Sequence, residues 1–149
     1  MDEIDRQILN LLRANGRASF ASIGAEVGLS PHGTADRVRR LERDGVITGY
    51  SVGIDLESVG RTLDAFIDVR LLPSTDPEGF ERHVSRLPAV RELAFLTGRF
   101  DYQLRVACRD ADDLNHTVRS VRRDGGAAGT ETRIVMRSAT FDRTLDGSG

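Results

Sequence analysis

The stretch Ser19–Gly45, SFASIGAEVGLSPHGTADRVRRLERDG, constrains the fold more than any other part of this chain. Ser19 can cap a short helix, and Gly28 is placed to end it because glycine enters the left-handed conformation at little steric cost. Ser30 can cap a second helix with Pro31 at its first position, where the missing N–H costs nothing. The stretch therefore predicts two helices joined by a tight turn, which is the helix-turn-helix pattern.

The second predicted helix has an apolar stripe and a charged face. At about 100° per residue, Thr34, Val38 and Leu41 fall on one stripe that must face a core. The charged side chains cluster on the opposite side, with Arg37 on the flank. Arginine can donate paired hydrogen bonds to guanine edges and to phosphate, so this face suits a DNA major groove, and the alternative is a solvated charged face. The charged face consists of His32, Asp36, Arg39, Arg40 and Arg43.

The charge balance around this face is close to neutral. Residues 1–50 carry seven arginines and seven Asp or Glu residues, and the net charge of the chain is −2. Phosphate repels the carboxylate of Asp36, unless that carboxylate accepts a hydrogen bond from cytosine or orients a neighbouring arginine. We therefore expect weak, salt-sensitive DNA contact by one copy and binding as a dimer or larger assembly.

The composition is typical of a globular protein of one or two small domains, with 149 residues, 39% hydrophobic and 30% charged. No apolar run reaches membrane-spanning length, and the acidic N-terminus MDEIDRQ argues against a signal peptide. The lone Cys108 excludes an internal disulfide. These features predict a cytoplasmic protein that does not bind a membrane.

The N-terminal region predicts a three-helix domain of the winged helix-turn-helix type over residues 1–47. Asp2–Ala14 forms the first helix of this prediction, with apolar residues recurring along one face and Gly16 after its end. Residues 48–61 are predicted to be a linker. Val46–Ile47 and Tyr50–Val52 flank Thr48–Gly49 and predict a short extended pair or a linker strand.

Residues 62–141 predict a ferredoxin-like domain, and residues 142–149 a flexible tail. Asp76, followed by Pro77, caps the first predicted helix of this domain, and Asp112 caps the second. The order strand, helix, strand, strand, helix, strand gives an antiparallel sheet with both helices on one face, and a second copy can cover the open face. The predicted strands are Thr62–Leu72, Val90–Thr97, Tyr102–Arg109 and Thr132–Ala139, with a glycine-rich loop at Arg123–Gly129.

Over nearly its full length the chain resembles the Lrp/AsnC family of bacterial and archaeal transcription regulators. The resemblance rests on IDRQILNLLRANGRAS, GLSPHGTADRVRRLERDGVITGY and LTGRFDYQLRV, which occur in the family's order. It implies an α+β protein with a DNA-binding head and a ligand-sensing domain, assembled as dimers and often as tetramers or octamers. The implied partners are double-stranded DNA, further copies of the chain and a small-molecule effector, often an amino acid bound between subunits.

The resemblance also implies roles for individual residues. The recognition helix corresponds to Pro31–Glu42, and the effector loop lies between the second and third strands of the second domain. Asp101 could accept hydrogen bonds from an effector ammonium, while the alternative is that Gly98 to Asp101 merely forms a hairpin turn. The predicted DNA-binding residues are Ser30, Pro31, His32, Thr34, Asp36, Arg37, Arg39, Arg40 and Arg43. The predicted effector-binding residues are Thr97, Gly98, Arg99, Phe100, Asp101 and Tyr102.

An enzyme is the second class that the sequence leaves open. The three histidines are scattered, and no Cys/His spacing indicates a metal site. Cys108 fits an apolar strand face better than the role of nucleophile. Sirohaem decarboxylases look like the same two-domain architecture, so a decarboxylase of this kind is the alternative. The sequence predicts a regulator with no catalytic residue, metal or cofactor.

Overall fold

The computed structural model describes residues 1–141 and 144–145. They form two compact units, one made of residues 1–53 with the described residues from 140 onward, the other of residues 54–139. The boundaries drawn from the sequence at 47, 61 and 141 stay a prediction. The predicted flexible tail, 142–149, lies outside the described residues except for Thr144 and Leu145.

The first unit contains the three expected helices, α1 (Glu3–Ala14), α2 (Phe20–Val27) and α3 (Pro31–Arg43). Ser19 and Ser30 cap α2 and α3, as the sequence predicts. Ile8, Ile23 and Val38, one from each helix, are buried together and form the centre of this unit's core.

The segment that follows α3 contains no paired strand among the described residues of the first unit. The backbone N–H groups of Val46 and Ile47 both donate to the carbonyl of Leu41, at 2.9 and 3.0 Å. These bonds close the C-terminal turn of α3, so the two N–H groups are not available to a sheet ladder. The predicted extended pair across Val46–Val52 is therefore wrong for the single chain, and the three-helix core carries no wing hairpin.

The second unit has the predicted ferredoxin-like order. Its strands are β1 (Leu63–Leu71), β2 (Val90–Phe95), β3 (Tyr102–Cys108) and β4 (Ala127–Ile134), and its helices are α4 (Pro77–Val84) and α5 (Ala111–Arg123). The sheet order is β2-β3-β1-β4, and every neighbouring pair is antiparallel.

Both helices of this unit pack on one face of the sheet. Ile67 and Leu104, from the central strands β1 and β3, are fully buried in one cluster with Phe80 of α4 and Val121 of α5. Cys108 belongs to the same cluster and is fully buried, as its alternating position on β3 predicts. The side chains of β1 and β3 alternate between this core and the opposite sheet face.

In the second unit, the start of α5 and both ends of β4, which stops at Ile134 and not at Ala139, differ most from the prediction. Asp110, not Asp112, caps α5, because its side chain accepts from the backbone N–H of Asp113 and its backbone is extended. Strand β4 begins at Ala127, not Thr132, and its pairing with β1 runs from Ala127 to Ile134. Gly126 turns the chain directly into that strand with φ 76°, so the second half of the predicted glycine-rich loop is part of the sheet.

Candidate nucleic-acid interface and ligand loop

Gly24 of α2 allows that helix to pack close to the turn before α3. A Cβ atom on Gly24 would lie 2.5 Å from the carbonyl oxygen of Leu29 and 2.8 Å from Oγ1 of Thr34. Such distances are far shorter than a van der Waals contact, so only glycine allows α2 to approach this turn. Val38 and Leu41 then bury the inner stripe of α3.

Thr34 lies on that inner stripe, away from solvent. Its side chain is fully buried, and its hydroxyl donates to the carbonyl of Ser30 at 3.0 Å. In this structure Thr34 packs in the core and helps to begin the helix, so its side chain is not exposed to a ligand, and its assignment to the DNA-binding set stays an untested prediction. Ser30 and Pro31 remain exposed at the N-terminus of α3, and Ser30 Oγ accepts from the backbone N–H of Gly33 at 3.0 Å.

Arg37 and Arg40 turn towards α1. Arg37 Nη1 lies 2.6 Å from Asp2 Oδ2 and 2.9 Å from Asp5 Oδ1, and Arg40 Nη2 lies 2.9 Å from both carboxylate oxygens of Asp5. The side chain of Asp5 is only 1% exposed. These two arginines therefore fix α3 to α1. Arg37, which the sequence places on the flank of the helix, pairs with acids here, and the DNA contacts of Arg37 and Arg40 stay predictions.

These hydrogen bonds lower the pKa values of Asp2 and Asp5. The hydrogen bond from Arg37 lowers the pKa of Asp2 to about 2, helped by the backbone N–H of Asp5. Burial alone would raise the pKa of Asp5, but the backbone N–H of Asp2 and the guanidinium of Arg37 outweigh it and hold that pKa below its ordinary value. Both groups therefore carry the negative charge that the arginines require at neutral pH.

The remaining polar residues of α3 point away from the core. Asp36 Oδ1 lies 3.3 Å from Arg39 Nη1, and Asp36 Oδ2 lies 3.3 Å from His32 Nε2. The three side chains are 58%, 62% and 84% exposed, in the order Asp36, Arg39, His32. Arg43, one turn further, is exposed as well. These four side chains form what we call the outer face of α3, and its donors can reach base edges and phosphates.

Sequence reasoning treated Asp2 only as part of the first helix and did not single out Asp5. A signal was present, because an acidic residue at a helix N-cap and another three positions on form a reciprocal capping box. The structure shows that box, with Asp5 N–H donating to Asp2 at 2.8 Å and Asp2 N–H donating to Asp5 at 3.0 Å. The spacing predicts the cap but not the two arginines bound to it.

In the second unit, Asp101 ties the loop between β2 and β3 to the end of β1. Its Oδ2 accepts from the backbone N–H of Leu71 at 2.8 Å, and its own N–H donates to the carbonyl of Val69 at 2.8 Å. Gly98 turns the loop with φ 108°, in the region that favours glycine. The hairpin-turn interpretation is thus correct for the backbone, while Asp101 Oδ1 accepts no hydrogen bond from the described residues.

A depression of about 320 Å³ opens beside Asp101. Its wall is mostly apolar, and the carboxylate of Asp101 is its one acidic group. This lining could not be predicted from the sequence, since it comes from three separate segments. The other lining residues are Leu71, Leu72, Pro73, Thr75, Pro77 and Phe95.

Of the other predicted effector residues, some are buried in the core and some are exposed at the surface. Tyr102 is 1% exposed, and its hydroxyl donates to Glu81 Oε1 at 2.7 Å. Burial and then this bond raise the pKa of Tyr102 to about 12. Tyr102 is therefore a core residue of the single chain, and its effector contact stays a prediction. Arg99 lies over the ring of Phe100 at 5.1 Å, while Thr97 is exposed on the loop.

The described residues form neither a metal-binding cluster nor a membrane-spanning helix. Across residues 1–141 and 144–145, no group of three His, Cys, Asp or Glu side chains is placed to hold a metal ion. The same residues include no helix that combines the length and apolar character needed to cross a membrane.

Comparison with known proteins identifies both units. Residues 1–42 match the family model of the AsnC-type helix-turn-helix domain, and residues 64–145 match that of the Lrp/AsnC ligand binding domain. The chain is 37% identical to the regulator AldR of Mycobacterium tuberculosis over 139 residues, which cover 91% of this chain and 78% of that protein. It is 34% identical to the leucine-responsive regulatory protein of Escherichia coli, over 97% of this chain and 90% of that protein.

Solved structures give the same result. A transcriptional regulator of Neisseria meningitidis, solved as a complex with L-methionine, superposes with a TM-score of 0.91 at 29% identity, covering 98% of this chain and 96% of that one. AsnC of Escherichia coli gives a TM-score of 0.86 at 27% identity, covering 96% and 97% of the two chains. These relatives are regulators and give no support to the decarboxylase alternative. Because both family models match in order along most of its length, the chain belongs to the Lrp/AsnC family of DNA-binding transcriptional regulators.

Proposed function

We propose that this regulator contacts DNA through the outer face of α3 and that a small amino acid, bound beside Asp101, changes its activity. The observation that carries the first part is the division of the arginines of α3. Arg37 and Arg40 bind Asp2 and Asp5 at the start of α1, although the side chain of Arg40 is still 45% exposed, while Arg39 and Arg43 lie further from α1 and are exposed. A rigidly held helix that presents arginines to solvent has the form of a major-groove reader.

The chemistry of the effector loop supports an amino acid. An α-ammonium group needs an anionic acceptor, and Asp101 Oδ1 can supply it, while the apolar wall of the depression suits an aliphatic or thioether side chain. The relatives point the same way, since one is named leucine-responsive and another was solved with L-methionine. The loop backbone around Gly98 offers N–H groups for the effector carboxylate.

We further propose that the protein works as a homodimer, and as tetramers or octamers of it, through the sheet face that α4 and α5 leave open. That face carries charges already paired within the chain. Arg105 Nη2 lies 2.8 Å from Asp64 Oδ2, and Arg133 Nη2 lies 2.7 Å from Asp68 Oδ2. A second copy can cover such pairs without leaving a charge unmatched, whereas an isolated buried charge would be costly.

A dimer would present two copies of α3 to two half-sites about one helical turn apart. This arrangement compensates for the near neutrality of the first 50 residues, because two modest contacts act together. Since its partner is chromosomal DNA, we place the protein in the cytoplasm.

The test is a fluorescence anisotropy titration of the full-length protein on a duplex from the region beside its own gene, with a scrambled duplex of equal length as control. We expect at least about 1,000-fold tighter binding to the specific duplex and a steep loss of affinity with added salt. Equal affinity for every genomic fragment tried would contradict the proposed function.

A further inference from the structure

We propose that Asp36 is a specificity-determining residue, which holds Arg39 so that this arginine reads guanine at one fixed position in each half-site. The inference rests on the proposed function, because it concerns how the outer face of α3 discriminates between sequences. It adds a role for the one acidic side chain on that face, which charge alone would exclude from a DNA contact.

The geometry places Asp36 between two donors. Arg39 and His32 lie one helical turn from it in opposite directions, and each approaches a different carboxylate oxygen at 3.3 Å. Residues three and four apart on a helix are neighbours on its surface, so the contacts need no distortion of the backbone. The carboxylate therefore restrains both flanking side chains at once.

The helix beneath these side chains is itself fixed. Asp5 of α1 binds Arg37 and Arg40, and Gly24 of α2 allows the close contact with Thr34. Because α3 is anchored on its inner side, the orientation of the outer side chains decides which bases are read. Arg37 and Arg40 are committed to α1, so Arg39 carries most of the base reading in the middle of the helix.

The chemistry of the guanidinium group explains why a carboxylate helps. Arg39 uses Nη1 towards Asp36, which leaves its other N–H groups for the O6 and N7 acceptors of guanine. An unrestrained arginine would instead reach the nearest phosphate, a contact that carries no sequence information. Asp36 also repels phosphate, so its presence lowers affinity for DNA in general while raising discrimination.

The experiment is a selection from a pool of randomised duplexes with the full-length wild type, Asp36→Asn, Arg39→Ala and the control Asp44→Asn. Asp44 follows α3, is exposed, and its carboxylate makes no ion pair within the described residues, so the control removes the same charge without touching Arg39. Circular dichroism melting curves verify that each variant is folded.

We expect Asp36→Asn and Arg39→Ala to weaken the guanine preference at the same position of each half-site, by about 10-fold. Binding of Asp36→Asn to a non-specific duplex should become tighter, whereas Asp44→Asn should select the wild-type motif. The loss of the guanine preference, which Asp44→Asn should not share, distinguishes a restraint on Arg39 from a simple change of net charge.

Three outcomes would overturn the inference. Asp36→Asn could select the wild-type motif with undiminished preferences, it could lose a preference at a position that Arg39→Ala leaves intact, or it could lose a preference for cytosine, which would mean that the carboxylate itself reads a base. In each case the proposed function would stand as long as the wild type selects a motif. A wild type that selects no motif would contradict the proposed function itself.

Discussion

Arg40 Nη2 lies 2.9 Å from both carboxylate oxygens of Asp5, and this contact joins the recognition helix α3 to the first helix of the chain. Asp5 is buried, while the guanidinium of Arg40 is partly open to solvent. The contact gives a stabilising role to an arginine whose position on the helix also suits DNA binding. It leaves the outer face of α3 to His32, Asp36, Arg39 and Arg43.

The first prediction concerns the stability that Asp5 supplies. Asp5→Ala leaves two arginines without their buried acceptor, and we expect the free energy of unfolding of the first unit to fall by about 2–3 kcal/mol. Urea denaturation followed by circular dichroism measures it. Glu3→Gln on the same helix is the control, because within the described part of the chain Glu3 pairs only with Arg6, at the surface. This substitution should change the free energy of unfolding by less than about 0.5 kcal/mol. Equal effects of the two variants would contradict the anchoring role.

The second prediction concerns the stability of the folded protein at acidic pH. The pKa of Asp2 is lowered from its ordinary value of 3.8 to about 2 in the folded protein. A depressed carboxyl pKa contributes stability that is present above the unfolded value and is lost as the pH falls towards the folded value. The urea midpoint of the wild type should therefore exceed that of Asp2→Asn at pH 7, and the difference should shrink between pH 4 and pH 2. A difference that persists unchanged at pH 2 would refute the assignment.

The third prediction tests the glycine contact between α2 and α3. Alanine has a higher helix propensity than glycine. The Cβ of Gly24→Ala, however, would lie 2.5 Å from the carbonyl oxygen of Leu29. We expect a loss of about 1–3 kcal/mol, as for other overpacked sites. Gly16→Ala, whose Cβ would lie 3.8 Å from its nearest neighbour, should fold with nearly wild-type stability. A Gly24→Ala protein as stable as the wild type would show that the two helices can separate without cost.

The caps of α2 and α3 could be predicted because they depend on residues only three positions apart in the chain. Ser19 and Ser30 each satisfy an N–H group of their own helix. The start of β4 could not be predicted, because Ala127 and Gly129 do not fit a strand pattern and their pairing with β1 is non-local. Helical periodicity likewise gives the angular position of Arg40 but not the direction in which its long side chain extends. The depression beside Asp101 was missed for the same reason, because the sheet brings its walls together.

The fourth prediction separates the two roles of Asp101. Asp101→Asn keeps an oxygen that can accept from the N–H of Leu71, so the loop should persist, but it removes the negative charge offered to an ammonium group. We expect the rise in melting temperature that an amino acid causes in the wild type to be lost, in a thermal-shift screen that includes L-leucine and L-methionine.

Asp112→Asn, an exposed change in the first turn of α5, is the control for that screen and should respond as the wild type does. A full response in Asp101→Asn would remove Asp101 from the site. A wild type that none of the twenty amino acids stabilises would contradict an amino-acid effector.

The central claim is that the outer face of α3 contacts DNA. The most direct measurement is the affinity of Arg39→Ala for the specific duplex at moderate salt, with Arg119→Ala as the matched control. Arg119 is exposed on α5, so the control removes an equal charge from the second unit. We predict that Arg39→Ala binds at least about 10-fold more weakly with unchanged thermal stability, and that Arg119→Ala binds as the wild type. Equal affinities of Arg39→Ala and the wild type would contradict the account.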